Sequence, residues 1–482
     1  MFNCWLLKRF KIGKTLDYND FWFNKSSIVL TDKETINFLA EFVEKQAVQI
    51  SSLLIRVEYL EQELAVYKKG RNSGNSGMPP STDFGKPKRN QSLREKSNKK
   101  VGGQPGHEGT TLTFSAMPDE VIAHIPSYCS GCGLGLDGVA SLALAKRQVI
   151  DVPMPRPICT EHRTFSKTCS CGCLNRGEFP ENVTGSVQYG SNIETLIAYL
   201  NVRQYMPYNR IVEFFGQTMG LNISHGGVVG LLERFATKAV PMHQEIKNRI
   251  EQAGTVGTDE TGVKVNGKNH WMWVWQNPRL TYILPAPSRG YQTIGQTFPN
   301  GLPNAVLVHD RWAAHFRTAA KDHQVCIAHL FREFNYIQQV HQSDWATAFK
   351  DLLKNAIELS EKIDYNPFMQ SQARNQLEKS LDELLHRALP LRHKLAIRIQ
   401  KKLRTIPRYI LCFLHHDNVP ADNNGSERGI RNLKVKQKIS GTFRSFQGAC
   451  NFAVIRSVID TTIKSGQNVF VALKLIAKLQ AD

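Results

Sequence analysis

Three acidic residues stand at points of the sequence where an unpaired carboxylate would be costly. Asp259 lies in V-G-T-D-E-T-G-V-K-V, Asp310 ends A-V-L-V-H-D, and Glu427 lies in D-N-N-G-S-E-R. Each borders an apolar or basic stretch, where a carboxylate loses hydration without compensation. Three carboxylates at one point suit a Mg²⁺ centre that cuts and joins phosphodiesters. The alternative interpretation is that the aspartates cap strand ends and that Glu427 makes a surface ion pair.

The segments around the two aspartates predict a sheet that would bring them together. V-G-T-D-E-T-G-V-K-V, H-W-M-W-V-W-Q-N and T-Y-I-L-P-A predict an antiparallel meander, with N-G-K-N as a hairpin turn. N-A-V-L-V-H-D is continuously apolar, as buried parallel strands are. We then expect a helix over 312–320, a strand over V-C-I-A-H-L and a helix over 331–340. This order is typical of an RNase H-like fold, in which the first and fourth strands are neighbours.

Cationic residues surround the third acid. Helical spacing places Glu427, Arg431, Lys434 and Lys438 on one face. An acid beside a cationic stripe fits a phosphate backbone lying in a cleft, although a solvated charged face is the alternative. The residues that we consider for DNA contact in this segment are Arg428, Arg431, Lys434, Lys436, Lys438 and Arg444.

Two further candidates for the edge of the site follow the run V-C-I-A. His329 and Arg332 could hold a DNA phosphate or a flanking nucleotide. A histidine satisfied within the core is equally consistent with the pattern. The alternating tryptophans of the second strand are more typical of packing on a sheet face than of base stacking; they are Trp271, Trp273 and Trp275.

The chain as a whole resembles the DDE transposases of the insertion sequence 66 family. The resemblance is carried by N-S-G-N-S-G-M-P-P-S-T-D, G-G-Q-P-G-H-E-G-T-T-L, T-D-E-T, V-H-D-R-W-A-A-H-F, C-I-A-H-L-F-R-E-F and D-N-N-G-S-E-R with K-V-K-Q-K-I-S-G-T-F-R-S. It implies catalytic roles for Asp259, Asp310 and Glu427. These acids would hold two Mg²⁺ ions, or Mn²⁺. It also implies an RNase H-like core with a helical insertion before the final glutamate.

Six of the ten cysteines fall between Cys129 and Cys173. Cys129 and Cys132 form a C-x-x-C knuckle of the kind that binds Zn²⁺. T-C-S-C-G-C supplies the other half, and the family resemblance implies a zinc-finger-like region here. We therefore expect one structural Zn²⁺ held by Cys129, Cys132, Cys169 and either Cys171 or Cys173. Cys159 and His162 are outside candidates, and the remaining cysteines are interpreted as ordinary buried thiols: Cys4, Cys326, Cys412 and Cys450.

Composition favours a polyanionic partner. Lys and Arg total 61 against 42 Asp and Glu, so the formal net charge is +19. Such an imbalance is typical of nucleic-acid-binding proteins. No stretch reaches the ~18 apolar residues of a membrane-spanning helix, and the N-terminus lacks the apolar core of a signal peptide. We expect a cytoplasmic, nucleoid-associated bacterial protein with reduced thiols, in which clustered cysteines bind metal.

The N-terminal region predicts a coiled coil followed by a basic arm. Apolar residues recur at heptad spacing over 32–69, including Val43, Ile50, Val57 and Leu64. A helix packed on its own domain is the alternative. The breaker-rich segment that follows carries cations that would either stay solvated or fold onto DNA phosphates; they include Lys86, Lys88, Arg89, Lys99 and Lys100.

These patterns together predict an α/β multidomain chain that acts on DNA. We expect binding of double-stranded DNA at element ends and target, 3′-end cleavage and strand transfer, a homodimer or higher oligomer, and accessory proteins of the same element. The alternatives are a DNA-binding regulator without cleavage activity and an RNase H-like nuclease specific for nucleic-acid structure. The predicted regions are a coiled-coil segment (1–69), a basic linker (70–112), a zinc-finger-like domain (113–182), a helical, possible helix-turn-helix domain (183–250), the first part of the core (251–340), a helical insertion (341–420) and the last part of the core with C-terminal helices (421–482).

Overall fold

The computed structural model describes residues 32–68, 106, 112–361 and 367–480. The chain divides into two units, residues 1–70 with 340–342 and residues 71–339 with 343–482. The described part of residues 1–70 is one helix, α1 (Asp32–Lys68), as the heptads predict. Val43, Ile50 and Val57 on its predicted seam are exposed. The predicted basic arm lies outside the described residues.

Residues 112–190 contain little regular structure. Two short strands, β1 (Ser166–Thr168) and β2 (Leu174–Arg176), pair in an antiparallel hairpin. No side chain between residues 112 and 190 is buried. Backbone hydrogen bonds that are close in sequence therefore give this cysteine-containing segment most of its structure.

A helical region follows, and it packs into the main core. It contains α2 (Ser191–Ala198) with a π-helical turn over Tyr199–Arg203, α3 (Tyr208–Met219) and α4 (His225–Glu251). Ser224 caps α4, because its Oγ accepts a hydrogen bond from the Gly227 amide at 3.0 Å. The helix continues through Pro241 to Glu251. Burial of Ala239, Ile246 and Ile250 offsets the cost of about 3 kcal/mol for an internal proline.

A five-stranded mixed sheet forms the centre of the fold. Strands β3 (Thr255–Val265), β4 (Lys268–Gln276) and β5 (Thr281–Ala286) form the predicted antiparallel meander. After α5 (Tyr291–Thr297), β6 (Leu302–His309) pairs parallel to β3. The strand order is β5-β4-β3-β6-β7, so the first and fourth strands of the sheet are neighbours, as predicted.

The last strand of the sheet differs from the sequence prediction. The predicted strand over V-C-I-A-H-L is wrong, because β7 is Ala320–Val325 and α7 (Ile327–His341) begins almost at once. Residues 325–328 are all buried, at the end of the strand and the start of the helix, so their apolar character does not separate the two. The predicted helix over 312–320 is also shorter, since α6 spans only Ala313–Phe316.

The two faces of the sheet contribute to two hydrophobic cores. Leu307 on β6 packs in the core that contains α4 and the C-terminal helices. Val306 and Val308 pack in a second core with the helices that follow the sheet. Those helices form the predicted helical insertion, and they are α8 (Asp344–Glu361), α9 (Pro367–His386) and α10 (Lys394–Leu403) with two 3₁₀ turns, Pro407–Tyr409 and Cys412–Leu414.

The chain then returns to the sheet. Helix α11 (Asn424–Ser440) carries Glu427, and α12 (Phe446–Lys464) and α13 (Val469–Ala477) complete the first core. Phe443, just after α11, is bonded to β3 through the Lys264 carbonyl at 2.9 Å. Within the described part of the chain, no helix is both long enough and apolar enough to cross a membrane.

Candidate active site

Asp259 and Asp310 lie on neighbouring strands at corresponding positions. Gly257 on β3 is opposite Val308 on β6 in the parallel register, and each aspartate follows two residues later. Asp259 Oδ1 accepts a hydrogen bond from the Glu260 amide at 2.8 Å. Asp310 Oδ1 accepts one from the Trp312 amide at 3.1 Å. The fold therefore brings both predicted aspartates close together, where β6 ends beside β3.

A strained residue follows Asp310. Arg311 has φ of 72°, a left-handed conformation that non-glycine residues seldom adopt. Its amide donates to His309 Nδ1 at 3.2 Å, and its guanidinium pairs with Glu333 at 2.7 Å. Such strain costs on the order of 1 kcal/mol and persists only where the surroundings impose it. These contacts fix the turn in which Asp310 lies.

The start of α11 is pinned directly onto β3. Asn423 Nδ2 donates to the Thr258 carbonyl at 2.7 Å, one residue before Asp259. The Asn423 amide donates to Cys326 Sγ at 3.2 Å, and Ser426 Oγ donates to Asn423 Oδ1 at 2.7 Å. The Asn423 side chain makes no capping hydrogen bond to α11. It ties the Glu427 helix to the strand that carries Asp259.

Two glycines permit this close approach. A Cβ atom on Gly257 would lie 2.6 Å from Gln276 Nε2 and 2.7 Å from Asn423 Oδ1. A Cβ atom on Gly425 would collide with the Gln276 side chain. A larger residue at Gly257 would displace the side chains of Gln276 and Asn423, and one at Gly425 would displace the end of the Gln276 side chain on β4. Close packing against the Gln276 side chain thus accounts for the glycine in D-N-N-G-S-E-R, which is Gly425.

Electrostatic interactions couple Asp259 to the other two predicted acids. Burial raises the pKa of Asp259 well above its usual value, and Asp310, Glu260 and Glu427 raise it further. Asp310 and Glu427 are therefore close enough to Asp259 to repel its charge. Three carboxylates form an all-oxygen donor set of the kind that Mg²⁺ and Mn²⁺ prefer, and a divalent cation would relieve the repulsion. Among the described residues, oxygens of the three acids do not all lie within 4.8 Å of one another, so it is their donor chemistry that fits a divalent metal.

His329 and Arg332 lie on α7 beside the acids. Arg332 donates to Glu427 Oε1 at 3.0 Å. Burial and the charge of Arg332 lower the pKa of His329, whereas Asp310 and Glu427 raise it. Its Nδ1 is buried and has no hydrogen-bond partner among the residues that the structure describes. Both residues thus lie at the predicted edge of the site, on a helix and not after a strand.

Glu260, next to Asp259, belongs to a cluster that the sequence interpretation missed, and His315 of this cluster also lies 3.9 Å from Asp310 Oδ1. The side chain of Glu260 is fully buried and binds Arg289 Nε at 2.5 Å and His315 Nε2 at 3.1 Å. The Arg289 guanidinium lies 4.0 Å from the centre of the Trp312 ring and 5.1 Å from that of Trp271. The adjacent acids of T-D-E-T were the available signal, because successive strand residues point to opposite faces.

The cationic helix α11 divides into exposed and buried residues. Arg428, Arg431, Lys438 and the later Arg444 are exposed. Lys434 is half-buried and donates to the Gly262 carbonyl at 3.1 Å. Lys436 is buried near the rings of Tyr208 and Phe452, and burial lowers its pKa to about 8. The predicted DNA contact at Lys436 is not supported, because its charge faces the core.

The cysteine-containing segment forms two similar turns. Around Cys129, the Gly133 amide donates to the Cys129 carbonyl at 2.9 Å, and the Cys129 amide donates to Leu134 at 2.8 Å. Around Cys169, the Gly172 amide donates to the Cys169 carbonyl at 2.8 Å, and the Cys169 amide donates to Cys173 at 2.9 Å. Gly133 and Gly172 both have left-handed φ, 77° and 85°. Cys173 in the second turn thus corresponds to Leu134 in the first, and Cys171 corresponds to Cys132.

The pKa of the first thiol of each turn is lowered. Backbone hydrogen bonds from Cys132 and Gly131 lower the pKa of Cys129, and a backbone bond and a side-chain bond from Cys171 lower that of Cys169. Low thiol pKa values favour metal binding. Cys159 and His162 are exposed and take no part in either turn. Among the described residues, the five cysteines do not form a group of three sulfurs within 4.8 Å of one another.

In a comparison with known protein families, all three acids fall within the range matched by one family. The sequence profile of the Transposase IS66 family matches residues 186–451, which cover more than half of the chain and contain all three acids. The profile of a family of unknown function (DUF6444) matches residues 31–113, over the predicted coiled coil and basic linker. No curated protein matches the chain.

Proposed function

The chain belongs to the Transposase IS66 family, and on that premise we propose that it binds the ends of its insertion sequence and catalyses 3′-end cleavage and strand transfer. The observation that carries this proposal is the influence of Asp310 and Glu427 on the pKa of Asp259. Two residues far apart in sequence thereby influence the charge of the same carboxyl group. The strand order, with first and fourth strands adjacent, favours an RNase H-like core.

The three acids would hold the catalytic metal. Asp259, Asp310 and Glu427 would ligate two Mg²⁺ ions, or Mn²⁺, and the bound metal would activate a water or a DNA 3′-OH and stabilise the leaving oxygen. Arg332 orients Glu427 through its 3.0 Å ion pair. His329, beside the acids, would contact a DNA phosphate or a flanking nucleotide.

The DNA backbone would lie along the exposed face of α11. Arg428, Arg431 and Lys438 are exposed along the helix that carries Glu427 in its first turn. Phosphate contacts fix the register of DNA relative to a cleavage site without reading sequence. Lys434 borders this face, and Lys436 is excluded because it is buried.

The cysteine segment would bind one structural Zn²⁺. We assign Cys129, Cys132, Cys169 and Cys171 as ligands, since the two turns place Cys171 where the first turn has Cys132. Cys173 instead offers its carbonyl to the Cys169 amide. Four thiolates in two short turns suit tetrahedral Zn²⁺.

Helix α1 would join two copies of the chain. Its heptad side chains Val43, Ile50 and Val57 are exposed, and a helix of 37 residues is long enough for a coiled-coil dimer. Such a dimer would hold two element ends together. Accessory proteins of the same element remain expected partners.

The test is cleavage and strand transfer on DNA that carries the element ends. The wild-type protein should cleave with Mg²⁺ and not with EDTA, and Asp259→Asn should bind the ends but neither cleave nor join. Asp351→Asn, which removes an exposed acid on α8 paired only with Lys354, is the matched control and should retain activity. Cleavage by Asp259→Asn equal to wild type would contradict the proposal.

Two other outcomes would select a different function. Binding without cleavage by the wild-type protein would favour a regulator that does not cut. Cleavage of branched DNA or of RNA–DNA hybrids in preference to element ends would favour a structure-specific nuclease with the same acids. A gel shift and a cleavage assay on the same substrates separate the three cases.

A further inference from the structure

A second group of metal-ligating side chains lies away from the three acids. Asp322 is on the edge strand β7, and Cys412 and His416 are in the turns that close the helical insertion. One carboxylate oxygen, one sulfur and one imidazole nitrogen of these residues all lie within 4.8 Å of one another. Among the described residues this is the one such group of three. The sequence interpretation took Cys412 for an ordinary buried thiol.

The group is largely shielded from water but can be reached from the surface. Cys412 is buried, and the Asp322 and His416 side chains are 15% and 22% exposed. Asp322 and Cys412 line a groove of about 510 Å³, together with Glu378 and Asp382. The acids of this groove give a cation an approach to the buried sulfur.

The contacts that Asp322 makes in this structure are compatible with the entry of a cation. Asp322 Oδ2 accepts from Arg408 at 2.9 Å and lies 3.6 Å from His416 Nε2. Arg408 is two-thirds exposed, so its guanidinium can move outward when a cation binds. Alternatively, it can stay hydrogen-bonded to one lone pair of Asp322 Oδ2 while the cation binds the other. Burial, and then the charge of Asp322, raise the pKa of Cys412 to about 12. Without a cation this sulfur therefore keeps its proton.

We propose that Asp322, Cys412 and His416 bind one Zn²⁺ ion, with water in the fourth position. A thiolate, an imidazole and a carboxylate form a mixed donor set that suits Zn²⁺ and not the oxygen-preferring Mg²⁺. On binding, the S–H bond of Cys412 breaks, a Zn–S bond forms and the proton passes to solvent. The site does not depend on the transposase activity proposed above.

The location gives this metal a structural role. It would join the edge strand of the sheet to the segment that ends the insertion, only a few residues before Asn423 and Glu427. The chain from Cys412 leads directly to the pinned start of α11. A bound Zn²⁺ would hold the insertion closed on the sheet and so keep the approach to Glu427 fixed.

The test measures Co²⁺ binding to the full-length chain after the first cysteine of each turn has been substituted. Co²⁺ replaces Zn²⁺ and reports a sulfur ligand through a thiolate-to-cobalt charge-transfer band. In the Cys129→Ser/Cys169→Ser background we expect one Co²⁺ with this band and release of about one proton per metal. Affinity should rise about tenfold per pH unit. Co²⁺ at the three acids would give no such band.

Further variants decide whether the band belongs to the proposed group. Adding Cys412→Ser should abolish the band, and adding Cys450→Ser, a half-buried thiol elsewhere, should leave it. If Cys412→Ser does not fold, Asp322→Asn and His416→Gln should each weaken Co²⁺ binding at least tenfold. Absence of the band in the starting background, or its persistence with Cys412→Ser, would overturn the proposal.

Discussion

The acid site and the cysteine segment are held in opposite ways. Asp259, Asp310 and Glu427 are fixed by bonds between residues far apart in sequence, above all the one from Asn423 to the Thr258 carbonyl. The cysteine turns are fixed by backbone bonds that span only a few residues. The acids border a buried core, whereas no side chain of residues 112–190 is buried.

This difference in how the two regions are held indicates what a bound metal would contribute to each of them. In the core, Asp310 and Glu427 already raise the pKa of Asp259 without a metal, and a metal bound by the three acids would relieve that repulsion. The cysteine turns pre-shape each pair of sulfurs but bury no apolar surface, so their joining would depend on Zn²⁺ itself. Under the proposed function, metal at the acids would serve catalysis, whereas Zn²⁺ at the cysteine turns would serve folding.

The largest predicted effect is the response of the cysteine segment to loss of one ligand. Structural Zn²⁺ contributes on the order of 10 kcal/mol to small domains, so Cys169→Ser should release residues 112–190. We expect proteolysis in this segment to accelerate at least about tenfold, while the thermal unfolding of the core stays unchanged. Cys159→Ser, an exposed cysteine of the same segment, should behave as wild type. Equal proteolysis of both variants would remove the contrast between the two regions.

The next effect concerns the pin that positions Glu427. Asn423→Ala removes the bond to Thr258 and leaves a buried carbonyl unpaired, which costs about 1–3 kcal/mol. Displacement of a catalytic group by 1 Å can cost about 100-fold in rate, so cleavage should fall by that order. DNA-end binding, measured by gel shift, should remain. Asn424→Ala, whose side chain contacts only Asp422, is the control and should lose little activity.

A smaller effect tests the repulsion among the acids. Because burial and neighbouring acids raise the folded-state pKa of Asp259 above the unfolded value of about 3.9, its charge costs stability at every pH above that value. Asp259→Asn should therefore raise Tm without divalent metal, by about 2 °C or more. Mg²⁺ should stabilise wild type and not the variant. A lower Tm for Asp259→Asn would mean that the acids do not repel one another.

Local patterns in the sequence were sufficient for part of this architecture. The alternation of β3 to β5 and the apolar run of β6 predicted the strands and the neighbouring positions of Asp259 and Asp310. The polar residues of β7 concealed a strand, because their partners lie elsewhere in the chain. Glu260 with Arg289 and His315 was missed for the same reason. Periodicity shows which face a residue is on but not which distant side chain meets it.

The smallest predicted effect separates two lysines only two residues apart on α11. Lys438 is exposed, so Lys438→Gln should weaken DNA binding a few-fold and reduce the salt slope by about 1. Lys436 is buried with its pKa lowered to about 8, so Lys436→Met should leave that slope unchanged. Below about pH 8 the buried lysine is charged in the folded state at a cost in stability, and removing it should stabilise the protein at pH 7. Fluorescence anisotropy between 50 and 200 mM salt, roughly the range in which phosphate contacts dominate, measures the slope. Equal slopes for both variants would mean that the exposed face of α11 does not contact DNA, and the path proposed for the backbone beside Glu427 would have to be abandoned.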